Sequence, residues 1–311
     1  MIEVRDYQPS DREAWNALNA SARNGHFMFD RDFMEYHADR FRDASLVLRD
    51  EGRVLAVLPG NIRDGVFYSH QGLTFGGLVL GEKLHAAGVL DAFGACLDYL
   101  RGRGVKLVVY KPVPWIYHRR PAQEDLYALS RFAGALVRRD VTTTIDYRAP
   151  GPRSTLRRRG VKKAQACGVE IGPSDDWAAF WSILSANLAD RHDARPTHSL
   201  AEILTLSGRF PREIKLFSAR KNDRTLAGVV MFETDAVAHA QYIAASPEGR
   251  ETAALDGLFD ALIARYAQTK AFFDFGISNE PGDKGLNLGL ISQKEGFGGS
   301  SVVHDVYQIA L

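Results

Sequence analysis

The chain has 311 residues, a length that suits two domains, and 39 lysines and arginines against 38 aspartates and glutamates leave a net charge of +1. No global field therefore draws it to polyanions or a membrane surface, and any phosphate or nucleic-acid contact must be local. Two distant cysteines, Cys96 and Cys167, exclude a disulfide framework and a thiolate metal cluster and point to a reducing compartment. The opening MIEVRDYQPS is charged and lacks the apolar run of a secretory signal, and no window reaches the roughly 18 apolar residues of a spanning helix. The expectation is a cytoplasmic protein with no membrane span.

In chain order, strand-like runs at 44–48 and 53–59 flank Asp50-Glu51-Gly52, and a third follows at 66–69. Leu84, Ala87, Leu90, Phe93, Leu97 and Leu100 recur every three or four residues and predict a long helix that ends at Gly102 and Gly104. A strand at 106–113 and a helix at about 123–135 complete the first half. After the β-branched strand 142–147, Arg148-Ala149-Pro150-Gly151-Pro152 is the best linker in the chain, which places the domains at 1–145 and 146–311. Helical patterns follow at 154–167 and 175–191, and a third starts at Ser199, with Glu202 at capping-box spacing.

The second half continues with strands at 214–219, 225–233 and 237–245, separated by the turn pairs Asn222-Asp223 and Thr234-Asp235. Leu255, Leu258, Phe259, Leu262, Ile263 and Tyr266 then form one helical stripe, followed by a buried strand at 271–275, a short helix at 286–294 and a closing strand at 301–309. The order of three strands, helix, strand and helix occurs twice, an internal duplication at domain scale. The fold class expected is α/β, built as two tandem domains, each a mixed, largely antiparallel sheet flanked by helices.

The absence of G-x-x-x-x-G-K-[ST], of G-x-G-x-x-G between strand and helix, of H-E-x-x-H and of G-x-S-x-G excludes ATPase, Rossmann dehydrogenase, zincin and α/β-hydrolase readings. Arg153, Arg157, Arg158, Arg159, Lys162 and Lys163 form the densest basic run; on a helix, Arg159 with Lys163 and Arg158 with Lys162 make two cationic stripes, fit for a diphosphate or an RNA backbone, or simply a solvated face. His192 and His198 flank Pro196 at a spacing that matches no regular metal geometry, which leaves a substrate-facing loop or ordinary packing. His70 precedes a glycine-rich strand that is either bent or approached by a ligand. The apolar strand FFDFG ends in Ser278, Asn279 and Glu280, at a strand tip where α/β clefts open, and Asp274 inside it needs a partner if buried. Asn287 and Lys294 follow closely; a lysine ending a short helix is also a partner for the helix dipole.

The tract HAQYIAASPEGRETAALDGLFDALIARYA, followed by FFDFGISNEPGDKGLNLGLISQKEGFGGSSVVHDVYQI, resembles the GNAT-fold acyltransferases, in their FemAB-like branch with two GNAT-like domains in one chain. RRRGVKKAQACGVEI and the stretch from SHQGLTFGG to YKPVPWIYHRRPAQEDLYAL are similar to the form seen in bacterial surface-polysaccharide loci. The resemblance implies transfer of an activated acyl group to an amine. The acceptor expected is an amino sugar, as a nucleotide-linked precursor of surface polysaccharide, with no DNA partner and no metal. A Fem-type aminoacyl-tRNA-dependent transferase acting on a peptidoglycan precursor and a non-catalytic double-GNAT binding module are the alternatives.

Two departures from the family pattern stand out. The Q/R-x-x-G-x-G/A loop that cradles the acyl-CoA pyrophosphate is here Arg250-Glu251-Thr252-Ala253-Ala254, without either glycine, so the donor is acyl-CoA held differently, an acyl carrier protein thioester or aminoacyl-tRNA. The tyrosine that protonates the leaving thiolate is replaced by Ser292, whereas the K-x-G-F-G context of the Fem-like enzymes is matched by Lys294, Gly296, Phe297 and Gly298. The resemblance thus assigns Lys294 to charge stabilisation, the backbone from Tyr242 to Ala244 to polarising the donor carbonyl, Arg250 to donor binding, and Glu280 or Asp305 to the base. Arg159 and Lys163 are expected to hold a diphosphate, and His192, His198, Asp274, Ser278, Asn279 and Asn287 to line the substrate site. The first domain is expected to shape the acceptor cleft through His70 and Tyr117.

Overall fold

The computed structural model describes residues 2–192, 195–280 and 285–311. The chain divides into two compact units, Met1–Asp140 with Val303–Leu311, and Val141–Val302. The linker reading kept the closing residues with the second domain; in the structure they return to the first.

The first unit contains β1 (Glu3–Asp6), α1 (Arg12–Ser21), α2 (Arg31–Met34), β2 (Leu46–Asp50), β3 (Arg53–Leu58), β4 (Asn61–Arg63), β5 (Val66–Tyr68), β6 (Val79–Leu80), α3 (Ala86–Gly102), β7 (Leu107–Tyr110) and α4 (Glu124–Arg131), and ends within β8 (Ala135–Asp146). Strands β1, β2, β3 and β6 form an antiparallel sheet, while β5 runs parallel to β7. Helix α3 buries Val89, Phe93, Cys96, Leu97 and Leu100 against Leu46, Leu48 and Phe67. The helix expected to reach residue 135 stops at Arg131, because Ala133 turns left-handed at φ 54° and the chain enters β8.

The second unit continues with α5 (Thr155–Ala166), β9 (Glu170–Pro173), α6 (Trp177–His192), α7 (Leu200–Arg209), β10 (Ile214–Lys221), β11 (Arg224–Glu233), β12 (Val237–Ala245), α8 (Pro247–Glu251), α9 (Ala254–Tyr266), β13 (Phe272–Ile277) and α10 (Leu288–Glu295). Its sheet runs β9-β10-β11-β12-β13-β8, antiparallel except where β12 lies beside β13. Asn222 and Asp223 join β10 to β11 with φ of 48° and 60°, the doubly left-handed turn that matches strand twist. Helix α9 lays Leu258, Phe259, Leu262 and Ile263 on the sheet, Phe259 meeting Phe275 with ring centroids 5.1 Å apart. The last strand, β14 (Ser300–Ala310), pairs antiparallel with β7, Tyr307 opposite Tyr110.

Two irregularities in the second sheet position the site. Val230 faces Tyr242 but Met231 faces Ala240, so Gln241 is an extra, bulged residue of β12. The parallel ladder of β12 and β13 then ends at the rung His239–Asp274. Beyond it Gly276 takes φ 76°, a conformation that favours glycine, and β13 steps aside. No helix among the described residues is long and apolar enough to cross a membrane.

Candidate active site

The last rung before the strands part joins two titratable side chains, His239 and Asp274. Asp274 is fully buried, and a carboxylate there requires donors. Thr142 and Thr144 of β8 donate their hydroxyls to Oδ1, the second at 2.9 Å, and His239 Nδ1 meets Oδ2 at 2.6 Å. The far ring nitrogen, Nε2, lies 3.2 Å from Gln241 Oε1. The imidazole keeps 13% of its side-chain surface exposed, against 0% for the carboxylate, so the dyad has one wet end and one dry end.

Lys294, in the last turn of α10, arrives on the other side of Gly276. Its Nζ donates to the carbonyls of Gly276 and Ile277, each at 2.7 Å. Burial pulls its pKa down to about 8, with Asp274 working in the opposite direction. A Cβ on Gly276 would stand 3.3 Å from His239 Cε1, so the lysine and the imidazole approach the same residue. The glycine-phenylalanine-glycine that follows Lys294 is structural: Phe297 stacks on Phe275 with centroids 5.6 Å apart and fixes the end of α10 in the core.

A cavity of about 590 Å³ opens at the start of α9, lined among others by Arg157 of α5, Arg250, Ala253, Asp256, and Ser292 and Gln293 of α10. Arg157 donates to Asp256 at 2.5 Å, while burial lifts the Asp256 carboxyl above its ordinary range. Gly160 permits this approach, since a Cβ there would fall 2.5 Å from Asp256 Cγ. Ala253 holds φ 55° directly before α9. Arg250 donates to the Ala245 carbonyl at 2.8 Å and to Asn187 Oδ1 at 3.2 Å.

Several candidates read from the sequence fall elsewhere. Arg159 and Lys163 are exposed, because Gly160 and Ala164 share the face of α5 that packs on α9 and leave the opposite face to solvent. The cations that line the cavity are Arg157 and Arg250 instead. Asn279 accepts from Val141 N at 2.7 Å, and Asn287 caps α10 by accepting from Leu290 N at 2.8 Å, so both side chains serve the backbone. Glu280 accepts from Asn287 Nδ2 at 2.9 Å. Ser278 is buried, its hydroxyl without a hydrogen-bond partner among the described residues. Tyr242 is buried with its hydroxyl 2.5 Å from His198 Nδ1 and its ring edge-on to Trp181, which makes His198 a packing partner of β12. Ala244 is buried on the same strand, beyond the end of the β13 ladder. The side chain of His192 lies outside the described residues.

Three candidates belong to the first unit. Asp305 receives Arg139 on both oxygens, at 2.6 and 2.7 Å, an engagement that removes it as a base. Tyr117 is buried against Phe75 with centroids 4.8 Å apart, a core contact and not a cleft wall. His70 sits at φ 68° and lines a cavity of about 370 Å³ with Arg12, Arg31, Glu35 and Asp43; burial drops its pKa to about 3. His239 and Asp256 escaped the sequence reading, and Arg157 entered it only as one member of the basic run. The signal for His239 was there in VAHAQYIAA, where Ala238 and Ala240 face the core and the histidine between them does not. Among the described residues no group of three or more histidines, cysteines or carboxylates is arranged to hold a metal.

Residues 153–282 match the family described as acetyltransferase (GNAT) domain. No curated protein matches the chain. Among solved structures, FemX superposes with a TM-score of 0.70 at 11% identity, covering 99% of this chain and 97% of that one. The C-terminal domain of a putative lysylphosphatidylglycerol synthetase from Agrobacterium fabrum gives 0.62 at 12%, over 96% and 91%. A tandem GNAT protein from the clavulanic acid biosynthesis pathway gives 0.55 at 12%, over 100% and 98%. At these identities the likeness is one of fold.

Proposed function

This chain is a GNAT-type acyltransferase with the FemAB-like double-GNAT fold, and from that premise we propose that its second unit moves an aminoacyl group from charged tRNA to an acceptor amine. The observation that carries this reading is the start of α9. A helix N-terminus ordinarily welcomes a diphosphate. Here Asp256 already stands in the first turn, tied to Arg157, and Glu251 is exposed just ahead of it. Ala253 replaces the glycine that would let phosphate approach the backbone. Both features disfavour the grip on coenzyme A used by ordinary acetyltransferases.

The exposed face of α5 presents Arg158, Arg159, Lys162 and Lys163, a local basic patch suited to a nucleic-acid backbone on a chain whose net charge is only +1. The neighbour described as a lysylphosphatidylglycerol synthetase domain is named for a lysyl product, which fits an aminoacyl donor. In this reading the amine attacks the donor carbonyl, backbone N–H groups along β12 past His239 polarise it, and Lys294 stabilises the charge that develops. The acceptor is an amine of a cell-envelope precursor, an amino sugar or a peptide.

The test is a donor panel of charged tRNA, acyl-CoA and acyl carrier protein against nucleotide amino sugars and peptidoglycan-precursor peptides, read as a mass increase of the amine. Ribonuclease-sensitive transfer is expected, weakened by Arg159→Ala with Lys163→Ala at low salt. Faster transfer from acyl-CoA would restore the thioester donor, and no transfer from any donor would leave a binding module.

A further inference from the structure

The reaction just proposed needs a group to remove a proton from the acceptor nitrogen, and neither carboxylate expected from the sequence supplies it. Asp305 is engaged on both oxygens by Arg139, and Glu280 is turned to the cap of α10. We propose that His239 is the catalytic base of this enzyme and that Asp274 is the residue that positions it. The proposal rests on the amine-acylation reading above but not on the identity of the donor.

The geometry has the parts a base requires. A buried carboxylate fixes one ring nitrogen at 2.6 Å and thereby sets the tautomer and the plane of the ring. Two threonine hydroxyls hold that carboxylate in turn. The other nitrogen faces Gln241 Oε1 at 3.2 Å, a side chain that an acceptor amine displaces when it takes that place, on a ring that keeps 13% of its side-chain surface exposed. The rung sits where β12 and β13 separate, so a nitrogen reaching Nε2 also stands next to the β12 edge that would polarise the donor carbonyl. The charged groups set against the ring are Asp274 on β13 and Lys294 on α10; Thr144 on β8 and Gln241 on β12 are neutral.

The step balances without a co-reactant. The neutral amine forms a C–N bond to the donor carbonyl carbon, and the C–O bond to the tRNA ribose breaks, or the C–S bond if the donor is a thioester. The proton lost from nitrogen passes to His239 Nε2 and then to the departing oxygen or sulfur. Asp274 remains ionised throughout and stabilises the imidazolium.

His239→Gln and Asp274→Asn, compared with wild type for kcat, KM, pH profile and thermal midpoint, test this assignment. His239→Gln is expected to lower kcat by about 100- to 10,000-fold with KM changed by less than a few fold, and to lose the acidic limb of the pH profile. Asp274→Asn should lower kcat and shift that limb, because the ring loses its fixed tautomer. In wild type the acidic limb should coincide with the titration of His239 followed by NMR, a measurement independent of any variant's folding. Unchanged kcat in a folded His239→Gln enzyme, or an NMR titration more than a unit away from the limb, would overturn the proposal. Transfer from acyl-CoA in place of charged tRNA would overturn only the donor reading and leave His239 in its role.

Discussion

Arg157 and Asp256 meet at 2.5 Å across α5 and α9, and their ion pair occupies the helix terminus at which acetyltransferases ordinarily receive a diphosphate. Asp256→Asn should therefore convert the α9 terminus into an anion site and tighten binding of coenzyme A, by up to about tenfold at low ionic strength, given helix-terminus effects of roughly 0.3–1 kcal/mol or more. Calorimetry at two salt concentrations checks this. Removal of Arg157 should instead destabilise the second unit by about 1–3 kcal/mol, because it strands a half-buried carboxylate.

Lys294→Ala should lower kcat by roughly 100- to 1000-fold while KM stays nearly constant, as for loss of one donor that acts on transition-state charge. The pH dependence follows from its depressed pKa. The ammonium is required, so activity should fall as pH rises through about 8, the value set chiefly by burial. Steady-state rates from pH 6 to 10 decide it. A flat profile through pH 9 would show that the charge is supplied by another group.

Ala253 sits at φ 55° without a glycine's freedom. Ala253→Gly should relieve that strain and stabilise the second unit by about 1 kcal/mol, a rise of roughly 2–4 °C in its thermal midpoint. The same change should improve acyl-CoA binding if the missing glycine, and not Asp256 alone, keeps diphosphates away. Scanning calorimetry and a binding titration on one sample separate the two effects.

In the first unit, Tyr110 donates its hydroxyl to Asp125 at 2.8 Å and accepts from Leu78 N at 2.7 Å. Burial pushes the Asp125 carboxyl up to about 6 from an ordinary 3.8. A raised folded-state pKa contributes stability that is fully present below about pH 4 and is lost as pH rises through about 6. At ~1.4 kcal/mol per unit the swing is about 3 kcal/mol. Asp125→Asn should flatten this pH dependence between 4 and 6, as followed by chemical denaturation.

How much of this was legible in the sequence varies with the kind of signal. The hairpin at Asn222-Asp223, the capping box of Ser199 and Glu202 and the stripe of α9 depend on local chemistry, and each forms where its pattern predicts. Lys294 was singled out by its motif, and the structure seats its ammonium on the carbonyls of Gly276 and Ile277. Helices α1 and α2 were passed over, because the spacing around Trp15 and Phe33 includes polar residues, such as Asn19 and Arg31, that are buried by partners outside their own helix, His26 and Ser45. The same reason hid His239. Its placement depends on a register, His239 beside Asp274 and Asp274 beside Thr144, that joins three strands over some 130 residues. No local pattern encodes such a rung.

Strand β14 has a consequence for the order in which the protein matures. Residues 141–302 form a unit of their own, whereas the first unit is completed by Val303–Leu311, which pairs with β7 from Leu107 to Tyr110. On the ribosome the early half of the chain must wait for segments made after the entire second unit. Nascent proteins commonly finish their N-terminal domain first. Here the half translated later is the one whose strands are all at hand first, and the edge of β7 remains an open template for hydrogen bonding until Tyr307–Ala310 has been made.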